Sequence, residues 1–402
     1  MIRDSVIKKC NSSLEPVLQV FWSFLVLGLG SFGGPAAHMG YFQRTFVQQK
    51  QWLNDSDFSQ ATALCQFLPG PASSQLGMFI GFRKAGYWGA VAAFLGFTLP
   101  SAILLTVLAI LDSQNTQAAW VYHVIQVAKL LAVIVVADAL LGMVRKNLTN
   151  VLMFVITVCT AVSVFFSSGL SGQLLPILIA ACLGYVLSFK TPVKRMVQHA
   201  ENEMMRLNWL PLMMFVVMLI GLPLLSGYAK AWDIFNSFYQ AGSFVFGGGH
   251  VVLPLLEPLV QHWIDADTFI SAYASAQLVP GPMFTMASFL GAASMPETPL
   301  WGSVLATIAI FLPGSLLLFA FLPAWQRLLQ HQRLQLSIKT ITAAVVGLLI
   351  GAWIDPVLST SINSLWDVIV VCSGFYLLKF RNMPVWLLAL LLIGSVFVSA
   401  MS

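Results

Sequence analysis

Apolar residues run through this chain in stretches about as long as a bilayer-spanning helix, roughly 17 to 25 residues, with short polar gaps between them. The first set is Val17–Phe32, Asp57–Phe82, Tyr87–Leu111, Val121–Val144, Val151–Ser167, Leu174–Phe189 and Leu210–Leu225. The second is Ala231–Phe246, Phe269–Ala293, Leu300–Leu322, Ser337–Ile354, Leu365–Leu378 and Val385–Ala400. The pattern predicts an all-α polytopic membrane protein with about 13 transmembrane helices. Two runs are interrupted, by Pro69-Gly70-Pro71 and by Pro280-Gly281-Pro282. Each proline lacks an N–H and fixes φ, and the glycine between tolerates almost any angle, so an arriving helix must end there. A new helix can begin at Ala72 or Met283, with unpaired N–H groups and a partial positive charge in its first turn.

Composition agrees with the pattern: 58% of residues are hydrophobic and 9% charged, against about a quarter charged in soluble domains. The partner implied is a lipid bilayer, not nucleic acid. A net charge of +5 matters only through where the basic residues fall. Arg83 with Lys84, Arg145 with Lys146, the 190–206 stretch, Arg327 to Lys339, and Lys379 with Arg381 all land on one predicted side, the cytoplasmic one. Arg44, Lys50 and Lys230 are exceptions. Arg3, Lys8 and Lys9 precede no cleavable apolar region, so the N-terminus is expected to stay in the cytoplasm. Five cysteines are scattered too widely for a disulfide framework or a metal site, and Cys65 is expected to point away from any pathway.

The chain repeats itself. Trp52–Pro71 aligned with Trp263–Pro282 at an offset of 211 has eight identities in twenty positions. Phe32-Gly33-Gly34 matches Phe246-Gly247-Gly248, and Leu99-Pro100 matches Leu312-Pro313. This divides the chain into a cytoplasmic tail (1–16), a first transmembrane repeat (17–189), a basic cytoplasmic loop with a linker helix (190–230) and a second repeat (231–402). If the broken segments cross fully, seven crossings separate the starts of the copies, which then lie in inverted topology. The basic clusters favour such a crossing over a re-entrant hairpin.

Paired broken helices in inverted halves place a substrate site at the midplane, with half-helix N-termini aimed at an anion; the alternative is that Pro and Gly only kink two helices for packing. Gly70, Ala72, Ser73 and Ser74 in the first copy, with Gly281 and Thr285 in the second, are the candidates, although Ser and Thr hydroxyls also bond back to the preceding turn. Gln66 and Gln277 either meet the substrate or cap carbonyls freed by proline. Gly33 and Gly34, with Gly248 and Gly249, make a second pair of helix starts, and His38 and His250 beside them are either donors to an anion or structural. Lys129 and Asp138 are charges inside one span, hence functional candidates, Asp138 for coupling. Nine residues apart, they face opposite sides of the helix and cannot pair with each other. Lys129 either adds positive potential or snorkels. No phosphate loop, metal spacing or nucleophile elbow is present, so neither catalysis nor a cofactor is expected.

These residues resemble the long, two-half form of the chromate ion transporter family. The resemblance spans nearly all of 17–400 and rests on FGGPAAHMGYF (32–42), ALCQFLPGPASSQLG (63–77), GFTLPSA (96–102), FGGGHVVLPLL (246–256) and AQLVPGPMFT (276–285). It implies export of chromate across the bacterial inner membrane, conferring resistance, with sulfate a close structural analogue. The residues alone leave a sulfate importer, an anion channel or a membrane scaffold open, and a homo-oligomer is compatible with the sequence. Energetics favour export weakly: moving a dianion out across an inside-negative membrane gains roughly 4.6 kcal/mol per 100 mV, about a thousandfold gradient.

Overall fold

Capping and turn residues set where the apolar runs become helices. Asn54 accepts the amide of Asp57 through its side chain, and 211 residues later Asp265 accepts that of Thr268, so the helices leading into the two Pro-Gly-Pro motifs share one kind of N-cap. Both stop in extended backbone, at Leu68 and Val279. The computed structural model describes residues 14–32, 34–113, 119–166, 170–189, 207–246, 249–324, 332–381, 383–385 and 387–392, and the regular elements among them are all helical. Gly33, Gly248, the basic 190–206 stretch and most of the final apolar run lie outside the described residues.

The first half contains α1 (Leu14–Gly30), α2 (Gly34–Phe42) continued by a π-helical turn at Gln43–Gln49, α3 (Asp55–Phe67), α4 (Ala72–Ser113), α5 (Ala119–Asn147), α6 (Val151–Phe166) and α7 (Leu170–Ser188). Helix α8 (Trp209–Leu225) comes next. The second half holds α9 (Lys230–Phe244), α10 (Val252–Val260), α11 (Ala266–Leu278), α12 (Met286–Ser294), α13 (Pro299–Phe321), α14 (Gln332–Ala352) and α15 (Leu365–Phe380). Among the described residues four helical stretches are long and apolar enough to cross a membrane: Ala72–Asp112, which is kinked at Ala85-Gly86, Gln126–Asn147, Pro299–Phe321 and Gln335–Ser361. Leu14–Gly30, Val151–Val164, Leu174–Ser188, Trp209–Leu225, Gly249–Val260 and Met283–Ser294 are apolar but shorter.

The broken segments turn back where the sequence suggested a full crossing. As one straight helix, the 26 residues from Asp57 to Arg83 would cover about 39 Å at the usual rise of ~1.5 Å per residue. Instead Arg83 forms an ion pair with Asp57 at 3.2 Å, and Lys84 lies over the Trp52 ring at 5.1 Å. Helix α3 and the 72–84 part of α4 are therefore the two arms of a re-entrant hairpin. Its tip needs the left-handed backbone only glycine adopts freely: φ is +116° at Gly70 and +115° at Gly281. Helix α4 then breaks again at Ala85-Gly86, where φ of Gly86 is +64°, and continues over 87–113 as a long span. Helix α2 likewise returns beside α1, with Phe42 and Phe46 against Phe24 at 5.4 and 4.7 Å. Lys50 shares the Trp52 ring with Lys84, so both lysines lie at the same end of the hairpin.

The second half repeats these contacts. The amide of Gly70 donates to Val245 O at 2.8 Å, and that of Gly281 donates to Ser31 O at 2.9 Å, so each hairpin tip is bonded to the end of the other half's leading helix. Gly28 leaves room for Phe97 O, and Gly242 for Ile310 O: a Cβ would stand 2.8 and 2.2 Å from them. Gly81 meets Gly89 as Gly291 meets Gly302. The equivalent long helices run antiparallel, with Tyr87 against Phe319 at 5.3 Å, Phe94 against Phe311 at 5.2 Å, and the Thr106 and Ser303 hydroxyls hydrogen-bonded at 2.6 Å.

Candidate functional site

Residues of both hairpin tips line one partly open cavity of about 610 Å³. The two tips supply Gly70, Ala72, Gly281 and Met283, the arms supply Gln66 and Gln277, and the glycine turns supply Gly34, Gly249 and His250. One face of α5 forms the long wall, from Val135 through Asp138 and Gly142 to Lys146 and Asn147. The spacing of three and four along this stretch keeps those side chains on one side of the helix. Thr342, Leu378 and Val385 complete the enclosure.

Hydrogen bonding separates open groups from committed ones. The Gly70 and Gly281 amides are spent on the opposite half. The first helical turn beyond each tip keeps amides that the helix cannot satisfy, at Ala72 in one half and Met283 in the other. The side-chain nitrogens of Gln66 and Gln277 each donate to a methionine sulfur, Met39 at 3.3 Å and Met283 at 3.5 Å, which are weak acceptors that an oxyanion would outcompete. His250 Nδ1 is hydrogen-bonded to the Tyr273 hydroxyl at 2.6 Å, which fixes the ring at the cavity wall.

Other candidates lie off the wall. Ser73 and Ser74 are buried, and Ser74 Oγ has no hydrogen-bond partner. Thr285 donates to Pro282 O at 2.6 Å, the back-bond to the preceding turn that its hydroxyl allows. His38 is buried against Phe97 and within 3.2 Å of Ser31 O, the carbonyl that also receives Gly281. Lys129 is 1% exposed and paired with Asp267 at the start of α11, beyond the far end of the cavity wall. Asp138 lines the cavity and accepts from Lys379 on α15 at 2.6 Å. Lys129 and Asp138 thus take different partners, as their helical angle requires. Cys65 is fully buried yet belongs to the wall, where the sequence suggested it would turn away.

Three functional candidates escape a sequence reading. Gln75, not Gln66, closes the carbonyls at the broken helix: its Nε2 donates to Pro69 O and Gly314 O, both at 2.9 Å. Lys379 reads as a loop charge and Asp267 as a helix-start acid. Only Gln75 carries a local signal, being one turn past Pro71.

Comparison with known proteins places the chain. The family model described as chromate transporter matches residues 18–185 and 232–397, one match in each half. An uncharacterized transporter of Methanocaldococcus jannaschii is 26% identical over 98% of this chain and 96% of its own length. The chromate transport protein of Cupriavidus metallidurans is 28% identical, over 94% of this chain and 92% of its own. The probable chromate transport protein of Synechococcus elongatus is 28% identical over 82% and 81%. No solved structure matches. Two family matches, one on each copy of the hairpin pair, establish that this multi-pass membrane protein belongs to the chromate transporter family.

Proposed function

We propose that the chain is a secondary exporter of chromate from the bacterial cytoplasm, confers chromate resistance, and works by alternating access at the central cavity. The observation that carries the reading is that both halves' hairpin tips line one cavity, each tip leading into the open N-terminus of a helix. A tetrahedral dianion suits such a site, since backbone amides and the Gln66 and Gln277 carboxamides donate to oxygen. Ala72 and Met283 bind through their amides, Gly34 and Gly249 admit the anion closely, and Asp138 is the coupling candidate.

The antiparallel register of the two long helices supports inverted repeats in the bilayer, with the first hairpin pair entering from the cytoplasmic face and the second from the opposite one. Lys50, Arg83 and Lys84 then share the cytoplasmic face with the N-terminus. The α5 wall reaches Lys146 at one end, and Lys129 paired with Asp267 lies past the other.

Chromate flux from loaded proteoliposomes, under an imposed potential of either sign, tests the reading. Outward flux accelerated by an inside-negative potential is expected. Absence of chromate movement under both signs would overturn transport, and uptake of sulfate in preference would overturn the assignment of substrate and direction.

A further inference from the structure

The cavity wall of an anion carrier holds a carboxylate, and the partner of that carboxylate stands just behind it. Asp138 and Lys146 are the residues of full charge among those described that line the cavity. The Asp138 Oδ1 accepts from Lys379 Nζ at 2.6 Å, and the neighbouring Leu378 is itself part of the wall. The pair is half-buried, with side-chain exposures of 37% for Asp138 and 27% for Lys379, so its ammonium can swing without crossing a packed core. A lysine ammonium has three donors on a flexible stem, and the carboxylate accepts one of them. Of the other ionisable side chains on the wall, Lys146 stands at its end, eight residues along α5 from Asp138, and His250 is held by Tyr273.

Resting on the transport reading above, we propose that Lys379 is the substrate-binding cation and that Asp138 is its internal counter-ion, occupying it while the cavity is empty. The entering oxyanion takes the ammonium from Asp138 and draws Lys379 into the cavity; on release the carboxylate recaptures it. A free lysine at this depth would hold a dianion too tightly to let it go, and the carboxylate makes the exchange nearly balanced. Asp138 therefore tunes affinity by competing for Lys379, and the two side chains have opposite effects on binding. A purely structural ion pair would make both substitutions harmful in the same sense.

Equilibrium binding of chromate and of sulfate to the purified full-length protein, measured together with turnover in proteoliposomes, separates these possibilities. Lys379→Gln is expected to weaken chromate binding at least tenfold, and Lys379→Arg to stay within about threefold of the natural protein. Asp138→Asn is expected to bind chromate at least tenfold more tightly while maximal turnover falls. Equal weakening by Asp138→Asn and Lys379→Gln, or indifference of binding to Lys379→Gln, overturns the inference and leaves the transport reading standing. If the unsubstituted protein binds neither anion, both fall. Thermal unfolding of each variant, with Lys379→Arg as the folded reference, identifies any loss due to misfolding.

Discussion

The two hairpins occupy equivalent positions, yet they are held by different physics. In the first, the tip is stitched by polar bonds: Gln75 ties Pro69 O to Gly314 O across the halves. The second tip has Met286 at that position, and Met283, Phe284 and Met286 are buried in apolar packing. The bases differ in the reverse sense. The first hairpin closes on its own exposed Asp57–Arg83 pair, whereas the second is anchored from the other half by the buried ammonium of Lys129 on Asp267. Exposed ion pairs contribute about 0–1 kcal/mol, while leaving one buried charge alone costs roughly 3 kcal/mol or more. The first half is therefore secured at its tip and the second at its base.

Substitutions break this contrast in a definite order. Gly70→Ala is expected to be the most damaging, at roughly 3 kcal/mol with loss of transport, because its φ of +116° strains any side chain and the Cβ would stand 2.9 Å from Gly314 Cα, which cannot retreat. Gly281→Ala instead meets the Ser101 hydroxyl at 2.8 Å, so the double variant with Ser101→Gly should recover part of the loss in flux and melting temperature. Recovery in neither would show that the tips fail for a shared backbone reason.

Asp267→Asn comes next. It strands the buried Lys129 and should lower stability by about 2–3 kcal/mol, whereas Lys129→Met, which leaves an exposed carboxylate, should cost less than half as much. Melting in detergent compares the two, and equal losses would contradict the assignment of burial to the lysine side. Gln75→Met, which gives the first tip the residue of the second, removes two hydrogen bonds and should cost about 1–2 kcal/mol. Met286→Gln in the same background tests whether the stitch can be moved to the other tip, and restored stability would mean that it can. Arg83→Gln should change stability by less than about 1 kcal/mol and shift with salt, since its pair with Asp57 is exposed.

Helix positions, the broken segments and the repeat were legible because each is a local matter. Run length, a missing N–H at Pro69 or Pro280 and a cap at Asn54 or Asp265 act within a few residues, and among the described residues the helices follow the predicted runs, with α2 and α10 added between them. Gln66, Gln277, Gly70 and Gly281 were legible for the same reason, since a motif that must break a helix at depth leaves its flanking polar groups near the break. The path of the chain beyond a break is a different matter. Pro-Gly-Pro ends a helix without directing the next one. Full crossing and re-entrant return have the same composition.

The return is decided by partners hundreds of residues away, namely Val245 O receiving Gly70, Gly314 lying against it, and Ser31 O receiving Gly281. The choice of ion pairs is equally non-local. The helical angle of α5 already kept Lys129 from Asp138, but only the packing of α11 and α15 against α5 selected Asp267 and Lys379 as their partners. The sequence by itself determined that two helices must break and that the breaks are copies. The tertiary structure alone decided that they turn back to line one cavity, because hydrogen bonds and charges are satisfied across space and not along the chain.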